Sequence, residues 1–314
     1  MALKQPKVVV LGGTGWVGRH VTAAFTAASH ETVVVARDGA RAVPPARFVS
    51  LDLVTTPVTE IAAFFAETAP DIIVNAAGRP WGVSETVMRS SLLELTERVV
   101  AAVAGLERRP RFVQIGSVME YGPATEGVPI TESTPANPAS AYARIKLAAS
   151  AAVLAAARAG RLDGVVVRLV NIAGPGTAPT SLLGRVMETQ LAARRAGETS
   201  RLRLTPLRAL RDYIDIRDGA DAIHAAALGG PTGEPVNIGS GAPIAVRSLV
   251  DSLIEISGVP TDLVEAEAVA PASPGAGGDW LAVDPAAAAR QLGWKAHRGL
   301  DGALRDDWNE RLER

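Results

Sequence analysis

Lys7-Val-Val-Val-Leu-Gly-Gly-Thr-Gly-Trp-Val-Gly18 decides how the rest of the chain is read. Lys7 to Leu11 is a short apolar run ended by glycines, the pattern of a strand buried on both faces. An amphipathic run follows from Val17 to Ala28 and predicts a helix. Strand, glycine loop and helix form the arrangement in which backbone N–H groups and a helix N-terminus hold a pyrophosphate. Glycines at 12, 15 and 18 let the turn tighten, the phosphates approach and the helix pack on the strand. Thr14, Trp16 and Val17 share that loop and join the three glycines as candidate cofactor contacts.

Moving outward, Thr32 to Ala36 predicts a second strand that ends in Arg37. At this distance from the glycine loop an acidic residue suits the ribose 2′-hydroxyl of NAD, whereas an arginine suits the 2′-phosphate of NADP. Arg37 therefore favours NADP, with Arg41 available if its loop folds back. The competing reading gives Asp38 the acidic role and leaves Arg37 to stack on adenine. Phe48 to Leu53 predicts a third strand with Asp52 at its end. Asp71 to Val74 predicts a fourth, running into Asn75-Ala-Ala-Gly78, whose small residues let a flat ring pass close to backbone.

Ser84 to Gly105 reads as a long helix, and Arg111 to Gly116 as a fifth strand ending in Ser117. Tyr121 to Ser140 is loop-like, because four prolines rule out a long helix. Gly164 to Leu169 is a further strand. Later helices are predicted at Leu182–Ala196, Asp218–Leu228, Ser248–Ser257, Ala286–Leu292 and Leu300–Leu312. Strands alternating with helices predict an α/β fold, a Rossmann-like doubly wound parallel sheet with ligands at the strands' C-terminal ends. A smaller C-terminal α/β part completes it. The expected division is 1–173 with about 215–240 for the dinucleotide, and 174–214 with 241–314 for the substrate. Pro271 to Gly278 is Pro/Gly-rich and reads as a mobile loop.

Ser140-Ala-Tyr-Ala-Arg-Ile-Lys146 opens an Ala-rich helical run and puts Tyr142 and Lys146 four positions apart, on one helix face. Free tyrosine ionises near a pKa of about 10, and a neighbouring cation favours the phenolate, so the pair suits a proton donor. A tyrosine can fall four before a lysine by accident. With only three tyrosines, and with lysine at 4, 7, 146 and 295 alone, few accidental pairings exist.

Composition narrows the partners. A chain of 314 residues with a net charge of −1 has no basic field for nucleic acid and no polybasic membrane anchor. A small-molecule partner is expected. Absence of cysteine excludes disulfides, thiol nucleophiles and Cys-ligated zinc. His20, His30, His224 and His297 show no metal-ligand spacing, and no metal is expected. The start lacks a signal-like apolar core, and Leu147 to Gly160 is shorter than the ~20 residues of a bilayer span. A soluble cytoplasmic protein is the expectation.

Taken together, these motifs resemble the extended short-chain dehydrogenase/reductases, the nucleotide-sugar epimerase/dehydratase family. Gly12–Gly18 is similar to its cofactor loop, Ser117-Val-Met-Glu-Tyr-Gly122 to its serine strand end, and Tyr142-Ala-Arg-Ile-Lys146 to its catalytic signature. Arg168 to Gly176, Arg211 to Asp218, Val236 to Gly239 and Gln291 to Trp294 add further likeness, so it spans nearly the whole chain. The resemblance implies that Ser117, Tyr142 and Lys146 are catalytic. Tyr142 would be the acid/base, Lys146 would hold the nicotinamide ribose and lower the tyrosine pKa, and Ser117 would bond the reacting oxygen. Asp52 and Leu53 would flank adenine, with Asn75, Ala76, Ala77, Gly78, Tyr142 and Lys146 beside the cofactor. Asn171 and Arg211 would reach the substrate, Arg211 as the diphosphate clamp. A homodimer built on the Ser84–Gly105 and Ala141–Gly160 helices is also implied.

Departures from the family pattern narrow the chemistry. Dehydratases of this family carry acidic residues where Val118 and Met119 stand, so water elimination is not expected. A second diphosphate arginine is replaced by Pro274-Gly-Ala-Gly-Gly278, and the asparagine usual in the helix before the fifth strand is missing from Met88 to Leu95. An NADPH-dependent ketoreductase of a nucleotide-linked keto-deoxysugar is therefore expected. An NAD-dependent epimerase, a reductase of a small non-nucleotide carbonyl compound and a non-catalytic dinucleotide sensor remain as alternatives.

Overall fold

The apolar runs pair into one parallel sheet. In this computed structural model, which describes residues 5–39, 41–266 and 278–314, six of its strands are β1 (Lys7–Leu11), β2 (Glu31–Ala36), β3 (Arg47–Ser50), β4 (Ile72–Asn75), β5 (Arg111–Ser117) and β6 (Asp163–Leu169). The seventh is Pro235–Ile238. The order is Pro235–Ile238, β6, β5, β4, β1, β2, β3, and every pairing is parallel. Connections depart from β1 toward one edge through β2 and β3 and toward the other through β4 to β6. The crevice between β1 and β4 is thus the switch point at which ligands of open α/β sheets bind.

Both faces of the sheet are covered. Val8 and Val10 point into one core with Val21 and Phe25 of helix α1 (Trp16–Ala27) and with Ile223. Val9 and Leu11 point into the other with Ile61 and Phe65 of helix α2 (Val58–Thr68), Val99 and Leu154. The period-two alternation of a strand makes this division. Fully burying one such side chain contributes about 1.5–3 kcal/mol, so the glycine loop hangs from a rigid edge.

A smaller core gathers Leu183, Val186, Met187, Leu249, Leu253 and Leu304 from the Leu182–Ala196, Val246–Ser257 and Leu300–Leu312 helices. It is the C-terminal α/β part expected from the sequence. Two local features differ from expectation. β3 stops at Ser50, because Asp52 turns the chain: its carboxylate accepts the Val54 N–H at 3.0 Å and its carbonyl those of Thr55 and Thr56. The helix expected over Ser84–Gly105 contains a π turn at Ser90–Glu94, next to which the Thr96 hydroxyl bonds the Leu92 carbonyl at 2.7 Å. Of the Pro271–Gly278 loop, all but Gly278 lies outside the described residues. No helix among the described residues is long and apolar enough to cross a membrane.

Candidate active site

Gly12 and Gly18 are glycine because the protein's own backbone needs the space. Gly12 has φ +72°, and a Cβ there would meet the Ala77 Cα at 2.6 Å and the Ala76 carbonyl at 2.8 Å. A Cβ on Gly18 would strike Gly12 itself, so this residue sets the close approach of α1 to the loop. Gly15 differs. It is exposed, and a Cβ would meet only the Gly12 carbonyl at 3.2 Å, so its openness serves something outside the protein's packing. Gly15 also begins α1 with no side-chain cap, and no acidic residue stands in the helix's first turn. An uncapped helix N-terminus behind an open glycine suits a pyrophosphate. These residues fit a dinucleotide.

The neighbouring loops close the crevice. Asn75 is buried and its amide is committed inward, donating to Thr96 at 3.1 Å and Gln114 at 2.9 Å and accepting from the Ala77 N–H at 3.2 Å. It therefore shapes the path of Ala76 and Ala77 and has no side-chain atom left over for a ligand. Leu53 is buried in the core, and Asp52 is half-buried at the turn. Arg37 is exposed one residue beyond β2, beside Asp38. Thr14, Trp16 and Val17 are half-buried, and the Trp16 indole donates to the Pro175 carbonyl at 2.9 Å. Arg19 and His20 of α1 reach the same carbonyl, which ties the segment after β6 to the first turns of α1.

Ser117, at the end of β5, meets Tyr142, in the first turn of the Ala141–Arg158 helix. Ser140 caps that helix by accepting the Ala143 N–H at 3.2 Å. Burial pushes the Tyr142 phenol up to about 12 and the charge of Glu120 adds to this, while the neighbouring Ser117 hydroxyl favours the phenolate and is outweighed. Burial also pulls the Lys146 ammonium below its ordinary value against the opposing pull of Glu120, and Lys146 donates to the Ile115 carbonyl. The expectation that Lys146 draws the phenol down is thus reversed by the protein's own groups: desolvation is the larger influence. At neutral pH Tyr142 is a proton-bearing hydroxyl on the sheet's C-terminal edge.

Beneath it lies a network that spacing in the sequence does not reveal. Glu120 is fully buried and accepts the Ser117 N–H at 2.9 Å, the Ser150 hydroxyl at 2.9 Å and the Arg168 guanidinium at 2.8 Å. Arg168 stacks over the Tyr121 ring at 4.4 Å, and the Tyr121 hydroxyl donates to Asn237 at 2.9 Å. Glu120 and Arg168 both stand in motifs quoted above, but nothing in the sequence pairs residues so far apart. Val118 is buried and Met119 packs against the same core, so no carboxylate projects where an eliminating acid would stand.

Substrate candidates are placed less openly. The Asn171 amide donates to the Asp212 carbonyl at 3.2 Å. Arg211 is buried and donates to the carbonyls of Leu210, at 3.1 Å, and of Gly278. Burial lowers its pKa, although Tyr213 and Asp279 oppose this. Among the described residues His297 lies beside Asp218 and Asp221, a set the sequence did not suggest. Arg298 bonds both carboxylates at 2.6 Å, so the cluster is an ion-paired contact that runs from the buried Asp218 to the exposed His297.

Comparison with known proteins places this geometry. The model of the NAD dependent epimerase/dehydratase family matches residues 8–239. The chain is 43% identical over 303 residues to a dTDP-6-deoxy-L-talose 4-dehydrogenase (NAD(P)(+)) of Kitasatospora kifunensis, covering 96% of this chain and 94% of that one. It is 28% identical to a UDP-glucose 4-epimerase of Azospirillum brasilense, over 98% and 93% of the two chains. The fold superposes on RMD from Pseudomonas aeruginosa complexed with NADPH with a TM-score of 0.83 at 22% identity, over 99% and 100% of the chains.

Proposed function

The chain belongs to the NAD dependent epimerase/dehydratase family, and from that membership we propose an NADPH-dependent ketoreductase of a nucleotide-linked keto-deoxysugar. It is an NAD(P)-dependent oxidoreductase of the extended short-chain dehydrogenase/reductase type. The observation that carries the finer reading is the hydroxyl pair of Ser117 and Tyr142, proton-bearing at neutral pH, with apolar Val118 and Met119 in place of eliminating acids. The likeness to a dTDP-6-deoxy-L-talose 4-dehydrogenase supports a dTDP-linked 6-deoxyhexose as the substrate class.

Bound NADPH supplies a hydride to the carbonyl carbon. The chain supplies everything else. Gly12–Gly18 and the α1 N-terminus would hold the pyrophosphate, Arg37 would take the 2′-phosphate, and Ala76–Gly78 would flank the ring. Ser117 and Tyr142 bond the carbonyl oxygen, and Tyr142 gives it a proton as the C–O double bond becomes an alcohol. Lys146, one turn along the helix, balances the phenolate left behind. Asn171 borders the sugar. Arg211 takes the diphosphate by exchanging the Leu210 and Gly278 carbonyls for phosphate oxygens. Residues 1–173 with about 215–240 serve the dinucleotide, and 174–214 with 241–314 the sugar. The outer faces of the 85–104 and 141–158 segments, where Ala151 and Ala155 are exposed, suit a homodimer, which light scattering tests.

The experiment is NADPH oxidation at the nicotinamide absorbance band with a dTDP-linked 4-keto-6-deoxyhexose. Tyr142→Phe should lower kcat by about 10²–10⁴-fold with the affinity for NADPH unchanged. A variant that keeps wild-type turnover removes Tyr142 from the reaction. The similarity to UDP-glucose 4-epimerases favours epimerisation as the second reading, and isomerised sugar without net NADPH oxidation would establish it.

A further inference from the structure

Trp81 is the large aromatic side chain that this fold leaves in solvent beside its site. It stands in the loop that follows β4, on the ligand-binding edge of the sheet, and is 49% exposed. Its ring lies 4.8 Å from the Tyr142 ring, tilted by 36°. The loop aims the indole at the proton donor and away from the core. Both ends of the loop are fixed: the Arg79 N–H donates to Ser91 at 3.1 Å, and Ser84 accepts the Val87 N–H at 3.3 Å as the next helix begins. Gly78 and Gly82, with φ of +146° and +67°, flank the tryptophan with backbone that other residues adopt only under strain. The indole is therefore placed by the fold.

We propose that Trp81 is a specificity-determining residue of this site, whose exposed indole receives the apolar C–H edge of a 6-deoxyhexose next to the carbon being reduced. The inference rests on the function proposed above and deepens it. A carbonyl oxygen within hydrogen-bond reach of Tyr142 brings the adjoining sugar carbons alongside the indole that lies tilted against that tyrosine. An indole face gains from contact with C–H groups and a methyl. A hydroxyl in the same position loses water and finds no hydrogen-bond partner on the ring face. The site thus discriminates a deoxygenated carbon from a hydroxylated one, and Trp81 is where it does so.

Two measurements test this with two probes, a dTDP-linked 6-deoxyhexose and the same hexose with its 6-hydroxyl. Calorimetric Kd values are taken on the protein saturated with NADP⁺, and kcat/KM values on the corresponding 4-keto sugars. Wild-type protein should prefer the deoxy probe about 10- to 100-fold in both. Trp81→Ala should bring both ratios toward one, whereas Trp81→Phe should keep most of the preference. Ratios taken on one preparation cancel the fraction of active protein. A wild-type ratio near one, or an unchanged ratio in Trp81→Ala while wild-type protein oxidises NADPH, overturns the inference and leaves the ketoreductase intact. A Kd ratio that collapses in Trp81→Ala while wild-type protein transfers no hydride supports the inference and overturns the ketoreductase.

Discussion

Arg168→Met should destabilise the protein by about 3–5 kcal/mol, because it leaves a buried carboxylate without its cation. Glu120 has no exposed surface, and its three donors are the Ser117 N–H, the Ser150 hydroxyl and Arg168. Methionine fills much of the arginine's volume beside Tyr121, so the loss reports charge more than cavity. Two neutral donors remain, and each offsets only about 1 kcal/mol. For a chain longer than 250 residues, where 1 kcal/mol moves Tm by about 2–4 °C or less, the midpoint should fall by roughly 10 °C. Glu120→Gln combined with Arg168→Met removes the charge and keeps an oxygen for both remaining donors. The double variant should therefore recover part of the loss and lie about 1–3 kcal/mol below wild type, the cost of the buried glutamine N–H2 left facing the introduced methionine. Urea unfolding followed by tryptophan fluorescence gives all three free energies. Ser117 sits on the network, so kcat should drop in Arg168→Met with little change in the affinity for NADPH. A loss below about 1 kcal/mol in the single variant, or a double variant no more stable than the single, would refute the reasoning.

Burial raises the pKa of all three tyrosines, Tyr142 to about 12 and Tyr121 and Tyr213 also upward. Native protein at pH 10 should therefore show little phenolate absorbance. The stability this reflects is whole below the free value of about 10 and disappears as pH rises through the native values; a phenol half-ionised at or below pH 10 in native protein would contradict it. Gly12→Ala places a Cβ against Ala77 backbone at a positive φ and should cost about 1–3 kcal/mol and weaken NADPH binding, read by urea midpoint and nucleotide fluorescence; unchanged values would contradict the close-approach argument. Arg37→Ser should lower the preference for NADPH over NADH by about ten- to a hundredfold, the worth of a charged hydrogen bond of about 1.5–3 kcal/mol. An unaltered ratio gives the ribose to Asp38.

How far the sequence carried follows from the range of each interaction. β1, the glycine loop and α1 are adjacent in the chain, so their pattern is local and readable, as is the Ser140 cap that starts the Tyr142 helix. β3 ends before its sequence pattern does, because the apolar alternation runs on through Leu53, whereas the Asp52 side chain ends the strand by bonding Val54. The π turn depends on packing within a helix whose periodicity looks ordinary. Long-range electrostatics were hidden altogether. The Tyr142–Lys146 spacing suggested an acidified phenol, but burial governs it, and Glu120 arrives from another element. Arg211 was legible as a cation in a motif, while its use of backbone carbonyls was not. Trp81 carries no periodic signal, since a single aromatic between Pro80 and Gly82 reads as a turn, and its contact with Tyr142 exists only in three dimensions.

The central claim is a net transfer of hydride to a sugar carbonyl with the proton supplied from Tyr142. Deuterium at the transferable position of NADPH, incubated with a dTDP-linked 4-keto-6-deoxyhexose and followed by mass spectrometry and NMR, tests it most directly. The account predicts one label on the former carbonyl carbon for each NADP⁺ formed, abolished in Tyr142→Phe. Unlabelled, isomerised sugar with no NADP⁺ accumulating would contradict it.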